Sequence, residues 1–186
     1  HIDAILGYHI PLDPNLLGVS PVGGVNLWKA WRRWQRERRG MLCTNFAEVT
    51  GFHSLHADSP KPEIQYEFVI ALAMDHGRDI YWKHGMSCHV LILHPKSRGS
   101  VTLASPRWQD DPVIDFRYFS HPQDLDDLAE GARRVHEVFW NTSLRQHIKT
   151  DLLTAKCKTQ DDWKEFCRNA SGTGYHPVGS CRMGPD

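Results

Sequence analysis

The stretch Gly172-Thr173-Gly174-Tyr175-His176-Pro177-Val178-Gly179-Ser180-Cys181-Arg182-Met183-Gly184 sets one histidine in a frame of glycine and proline. An imidazole titrates near neutrality and can take a proton from an alcohol, so His176 is a candidate general base. Pro177 disfavours the helical region for His176, and Gly172, Gly174 and Gly179 let the backbone approach another surface closely. The same spacing also fits a structural loop histidine. Twelve histidines and five cysteines offer other chemistry: His53 with His56, His84 with Cys88 and His89, or His176 with Cys181 could each begin a metal site. None completes four ligands at zinc spacing. Cys181 beside a histidine also suggests a thiol hydrolase, but no helix start lies there to stabilise a thiolate.

The elements that must position these residues are read from periodicity. Prolines 11, 14 and 21 and the pair Gly23-Gly24 punctuate residues 7 to 24, so residues 1–24 read as an irregular lead-in and 25–186 as one domain. VNLWKAWRRWQRERR, from Val25 to Arg39, predicts a helix with Trp28, Trp31 and Trp34 along one edge and Gly40 as its C-cap. IQYEFVIAL alternates Ile64, Tyr66 and Phe68 against Gln65 and Glu67, the pattern of a half-buried strand. SCHVLIL and SVTLA read as a hairpin turning at Pro95–Gly99, and PVIDFRYF as a further short strand. Leu125, Leu128, Ala132, Val135, Val138 and Phe139 keep helical spacing after Ser120 and Pro122. Thr159 and Asp162 form a capping box before the short helix TQDDWKEFCRN. The fold class expected is α+β, an antiparallel sheet of about five or six strands with helices on one face.

A chain of 186 residues, 40% of them hydrophobic, can bury one real core. Lys+Arg and Asp+Glu are both 22, so nothing global favours nucleic acid or an anionic membrane. The run RRWQRERR with interleaved Trp could contact nucleic acid or an acidic protein, which is the rival, non-enzymatic reading; a solvated basic helix face accounts for it better. No apolar run approaches ~20 residues, so no transmembrane segment is expected. Five cysteines without a CxxC pair suggest reduced thiols and a cytoplasmic setting, with any membrane association carried by parts outside this chain. His1 in place of Met and the closing Gly184-Pro185-Asp186 suggest a piece of a longer protein.

YHPVGSCRMG resembles H-P-x-G-[ST]-x-x-M-G, the motif that carries the catalytic histidine of the glucose-methanol-choline (GMC) flavoprotein oxidoreductases. NFAEVTGF, PEIQYEF, HGMSCHVLILHPKSRGSVTLAS and DPVIDFRYFSHPQDLDDLAEGARRV resemble the same family in the same order, over about residues 40 to 186. The most similar branch is that of choline dehydrogenase and related bacterial alcohol dehydrogenases. The resemblance implies a substrate-binding domain of an FAD-dependent enzyme that oxidises a primary alcohol, choline among them, to an aldehyde. In that mechanism His176 removes the hydroxyl proton while a hydride passes to flavin N5. It also implies that Glu48 meets a cationic substrate head and that Pro177, Val178 and Gly179 face the flavin. Ser180 stands where Thr is commoner, which keeps the hydroxyl. Nothing in the chain matches GxGxxG, so this piece alone is expected to hold no FAD and to be inactive.

Overall fold

The computed structural model describes residues 1–11, 16–73 and 81–184; Pro14 and the closing Pro185-Asp186 lie outside the described residues. The first strand, β1 (Ile2–His9), is a core element rather than a lead-in. Every residue from Ile2 to Tyr8 is buried, the pattern of a central strand covered on both faces. Ser20 then caps helix α1 (Pro21–Glu37) through Gly23 N–H, so the prolines and glycines before residue 25 include a helix start. The helix ends at Arg38, in the left-handed region at φ 54°, two residues before Gly40.

Strands β2 (Ala47–His53), β3 (Ile64–Val69) and β4 (Gly85–Ile92) follow, and β4 pairs antiparallel with β1. Two short strands, β7 (Thr150–Asp151) and β8 (Ser171–Thr173), share the other edge of β1, giving a six-stranded sheet ordered β2-β3-β4-β1 with β7 and β8 beyond. The expected hairpin does not form: β5 (Ser100–Thr102) pairs with β6 (Val113–Asp115) in a separate ribbon. The reason is local, because Asp124 at the start of helix α2 (Pro122–Asn141) accepts from Lys96 N–H and Ser97 N–H at 2.8 Å each. That holds the chain after β4 on the helix and turns it away from the sheet.

Helix α2 lays Leu125, Leu128, Ala132, Val135 and Phe139 across the face made by Ile2, Leu6, Ile64 and Val90. The Tyr8 ring packs against Phe139 at 4.4 Å, tilted by 42°, and its hydroxyl lies 3.1 Å from His136 Nδ1. Helix α3 (Gln160–Ala170) carries the expected Thr159–Asp162 capping box and buries Trp163 and Cys167 beside α2. Phe139→Ala should destabilise the chain by ~3–5 kcal/mol in urea unfolding, against about 0.5 kcal/mol or less for the exposed neighbour Val138→Ala. Equal losses would contradict this placement of α2.

Candidate functional site

Strand β8 leaves α3 without a loop and pairs with Ile2–Ala4, which returns residues 171–176 to the start of β1. Gly174 N–H donates to His1 O at 3.1 Å. A Cβ on Gly174 would sit 3.1 Å from Leu91 Cδ2 and 3.2 Å from His1 Cβ, so glycine makes the close approach easy. Tyr175 then takes the left-handed region at φ 57°, its N–H held by Thr173 Oγ1 at 3.0 Å. The turn brings His176 Nδ1 to 2.9 Å from His1 Nδ1, with the two rings edge to face at 4.8 Å. From His176 to Gly184 the loop is exposed: Val178 is 92% accessible and Met183 99%. Gly179 at φ +85° has no neighbouring atom where a side chain would point.

The odd residues of β1 face away from α2, and this second face of the sheet sets buried Asp3 beside buried Ile5. Asp3 Oδ2 lies 2.7 Å from His89 Nδ1, with Asp3 only 3% exposed. Burial pulls the His89 imidazole down, but the hydrogen bond and charge of Asp3, with the charge of Glu67, outweigh it and raise it above the usual histidine range. Gln65 Nε2 donates to Glu67 Oε1 at 2.7 Å beside this pair. The sequence reading of the strands passed over Asp3; its signal was a lone carboxylate alternating with apolar residues in HIDAILGY.

Glu48 lies on β2 at an irregularity, where the register jumps between Ala47 and Val49. The extra residue of such a bulge is turned out of the ladder. Thr44 Oγ1 donates to Glu48 Oε1, and both line a cleft of about 760 Å³ that also contains Lys29 and Arg33. Ala47 is level with Gly7 across the sheet, whereas His176 adjoins the other end of β1. Strand spacing and rise put Glu48 and His176 on the order of 20 Å apart, so one molecule of choline's size does not touch both.

The remaining histidines have other partners. His53 Nε2 meets Arg134 at 2.6 Å, His56 meets Asp127 at 3.1 Å, and the buried His84 meets Ser20 Oγ at 2.7 Å. Among the described residues no group of three or more His, Cys, Asp or Glu could hold a metal ion. All five cysteines are free, and Cys181 is exposed. In Pro95–Gly99 the basic turn is structural: Arg98 donates to Pro95 O at 2.7 Å and Ser97 O at 2.9 Å.

A dinucleotide needs a helix start for its pyrophosphate, and α2 and α3 begin with Asp124, Asp161 and Asp162, whose charge opposes a phosphate there. The first turn of α1 is closed instead by Ser20, with Gly18 O 2.1 Å from where a Gly23 side chain would begin. What the chain does offer a flat cofactor ring is the open backbone of Pro177, Val178 and Gly179. These residues fit one wall of a flavin site and not its phosphate cradle.

Comparison with known proteins agrees with this architecture. Residues 95–186 match the model of the family described as GMC oxidoreductase. Alcohol dehydrogenase (acceptor) of Pseudomonas putida is 36% identical over 151 residues, 81% of this chain and 27% of that protein. Oxygen-dependent choline dehydrogenase of Escherichia coli is 30% identical over 172 residues, 87% of this chain and 31% of that protein. The chain thus spans about a third or less of these relatives' length. In fold it is similar to a formate oxidase variant of Aspergillus oryzae, studied for FAD modification, with a TM-score of 0.82 at 16% identity, over 98% of this chain and 36% of that one. Pyridoxine 4-oxidase from Mesorbium loti gives 0.68 at 21% identity, over 100% and 33%.

The buried Asp3–His89 pair has a pH signature. A histidine raised by folding stabilises the fold below its unfolded pKa, and that contribution is lost as pH rises through the folded value. Asp3→Asn keeps the shape and removes the charge. The stability gap between wild type and Asp3→Asn, from urea unfolding, should therefore be wider at pH 6 than at pH 9. A gap that is constant or widens with pH would show that His89 is neutral in the fold.

Proposed function

The chain belongs to the GMC oxidoreductase family, and from that membership we propose that it is the substrate-binding portion of an FAD-dependent dehydrogenase that oxidises primary alcohols to aldehydes. The observation that carries the reading is His176, offered to solvent on a loop tied to the sheet edge by β8 and flanked by His1 at 2.9 Å. When His176 Nδ1–H donates to His1 Nδ1, the Nε2 atom keeps its lone pair. Nε2 then accepts the hydroxyl proton of the alcohol as the α-carbon gives up a hydride. The imidazolium that results still donates to His1 and can pass its proton to water, because His176 is exposed. FAD, when bound, supplies the acceptor for the two electrons that leave the carbon. Pro177, Val178 and Gly179 would lie against it, and the phosphates would be held by a portion outside these 186 residues.

An uncharged primary alcohol is favoured over a cationic one, because Glu48, the carboxylate expected at a cationic head, stands on the order of 20 Å from His176 and shares its cleft with Lys29 and Arg33. Choline is the second reading, supported by the 30% identity to a choline dehydrogenase and not by Glu48. In a longer protein that carries the flavin, His176→Ala should lower kcat and kcat/KM together by roughly 10²–10⁴ while bound FAD is unchanged. Loss of flavin instead would make His176 structural. The 186-residue chain, purified alone, should be colourless and inactive; stoichiometric flavin absorbance would overturn that division of labour. Glu48→Gln should leave kcat/KM for choline and for an uncharged alcohol of similar size both nearly unchanged. A loss confined to choline would contradict the separation of Glu48 from His176.

A further inference from the structure

Helix α1 has seventeen residues and buries none of them. Its one half-covered edge is Gly23, Asn26, Ala30 and Trp34, while Val22, Val25, Leu27, Trp28 and Trp31 are exposed, Trp28 by 53% and Trp31 by 50%. From Lys29 to Arg39 the helix and its exit carry six cations, Lys29, Arg32, Arg33, Arg36, Arg38 and Arg39, against the single carboxylate Glu37. Glu37 is held by Arg33 at 3.0 Å. Arg32 lies over Trp28 at 5.1 Å on the outward side, and Arg38 over Trp34 at 4.4 Å at the half-covered edge. Beneath the first turns an apolar cleft of about 540 Å³, lined by Leu17, Val19, Leu27, Phe46 and Leu72 among others, extends the same surface.

Two requirements follow from this composition. An occupant must accept exposed Val, Leu and Trp, and it must answer several cations without stripping their water. A protein seam meets the first, and Trp and Arg are at home in one, but six cations against one carboxylate would need a matching set of acids across it, since unpaired buried cations are costly. A nucleic acid meets the second and leaves the aliphatic side chains with nothing to pack on. The headgroup layer of an anionic bilayer meets both: Trp settles at the interface, aliphatics dip beneath it, and Arg and Lys stay at the phosphates. The helix is ~25 Å long, which suits lying in the plane, and no described helix is long and apolar enough to cross a membrane.

We propose that α1 docks this protein on an anionic lipid surface, lying in the headgroup plane with Trp28 and Trp31 inserted and Arg32 and Arg36 on the phosphates. The proposal does not rest on the alcohol-oxidising reading. The test is co-sedimentation of the purified chain with vesicles of phosphatidylcholine alone and of phosphatidylcholine with 30% phosphatidylglycerol, at low and high salt. Each cation near such a surface contributes roughly fivefold. The anionic vesicles should bind at least about tenfold more tightly, less so in high salt. Arg32→Glu with Arg36→Glu should lower that affinity by about 20-fold or more, and Trp28→Ser with Trp31→Ser should weaken it at every salt concentration. Both double variants should keep the wild-type unfolding midpoint, because α1 buries nothing. Equal binding to both vesicles, no binding, binding indifferent to the variants, or tighter binding to poly(U) than to vesicles would each overturn the proposal. So would a longer protein that fails to bind the vesicles its 186-residue piece binds, since α1 would then be an interior seam.

Discussion

The pairing of β1 on both its edges is the constraint on which the rest depends. One edge meets β4 along its whole length; the other is divided between β8 at Ile2–Ala4 and β7 at Tyr8–His9. Because side chains alternate, the same eight residues send Ile2, Ala4, Leu6 and Tyr8 into the core under α2 and Asp3 to the opposite face. A one-residue slip would exchange the two sets, taking the Asp3 carboxylate from His89 and setting it against the apolar side chains of α2. Fixing that register also fixes the loop after β8. The position of His176 is therefore a consequence of core packing some distance away.

Charge is distributed to match this division. The helix starts of α2 and α3 are spent on local carboxylates: Asp124 gathers Lys96 and Ser97, and Asp162 closes its own capping box. These ends are unavailable to an anionic ligand, and the glycine-rich backbone near His176 is exposed. The basic residues of α1 stand apart from both the core and that loop, and among the described residues Glu37 is the carboxylate within ion-pair distance of one of them.

Much of this was legible in the sequence where a pattern was long and locally complete. Leu125 to Phe139 kept the helical period across about four turns, Thr159 and Asp162 announced α3, and Ile64 to Phe68 alternated as a strand. β1 was misread because prolines 11, 14 and 21 close by weighed more than the alternation in IDAILGYH, although turn residues after a strand say nothing against it. The expected β4–β5 hairpin failed because its turn is captured by Asp124, a contact twenty-seven and twenty-eight residues distant. His176 was legible as a candidate from its neighbours in sequence. Its meeting with His1 was not, since 175 residues separate them and only the β1–β8 pairing brings them together. Glu48 was legible as a carboxylate, but neither the bulge nor the company of Lys29 and Arg33 has a sequence signature.

The central claim is that the β1–β8 pairing presents His176 as a proton acceptor. It is tested most directly by the pH profile of kcat/KM for a primary alcohol in a flavin-loaded protein that contains this chain, compared with its His176→Ala variant. The account predicts that the native rate rises with pH through a single ionisation as the imidazole loses its proton, and that this limb is absent from the variant. An identical rising limb in both proteins would contradict it, and the base would have to be sought elsewhere.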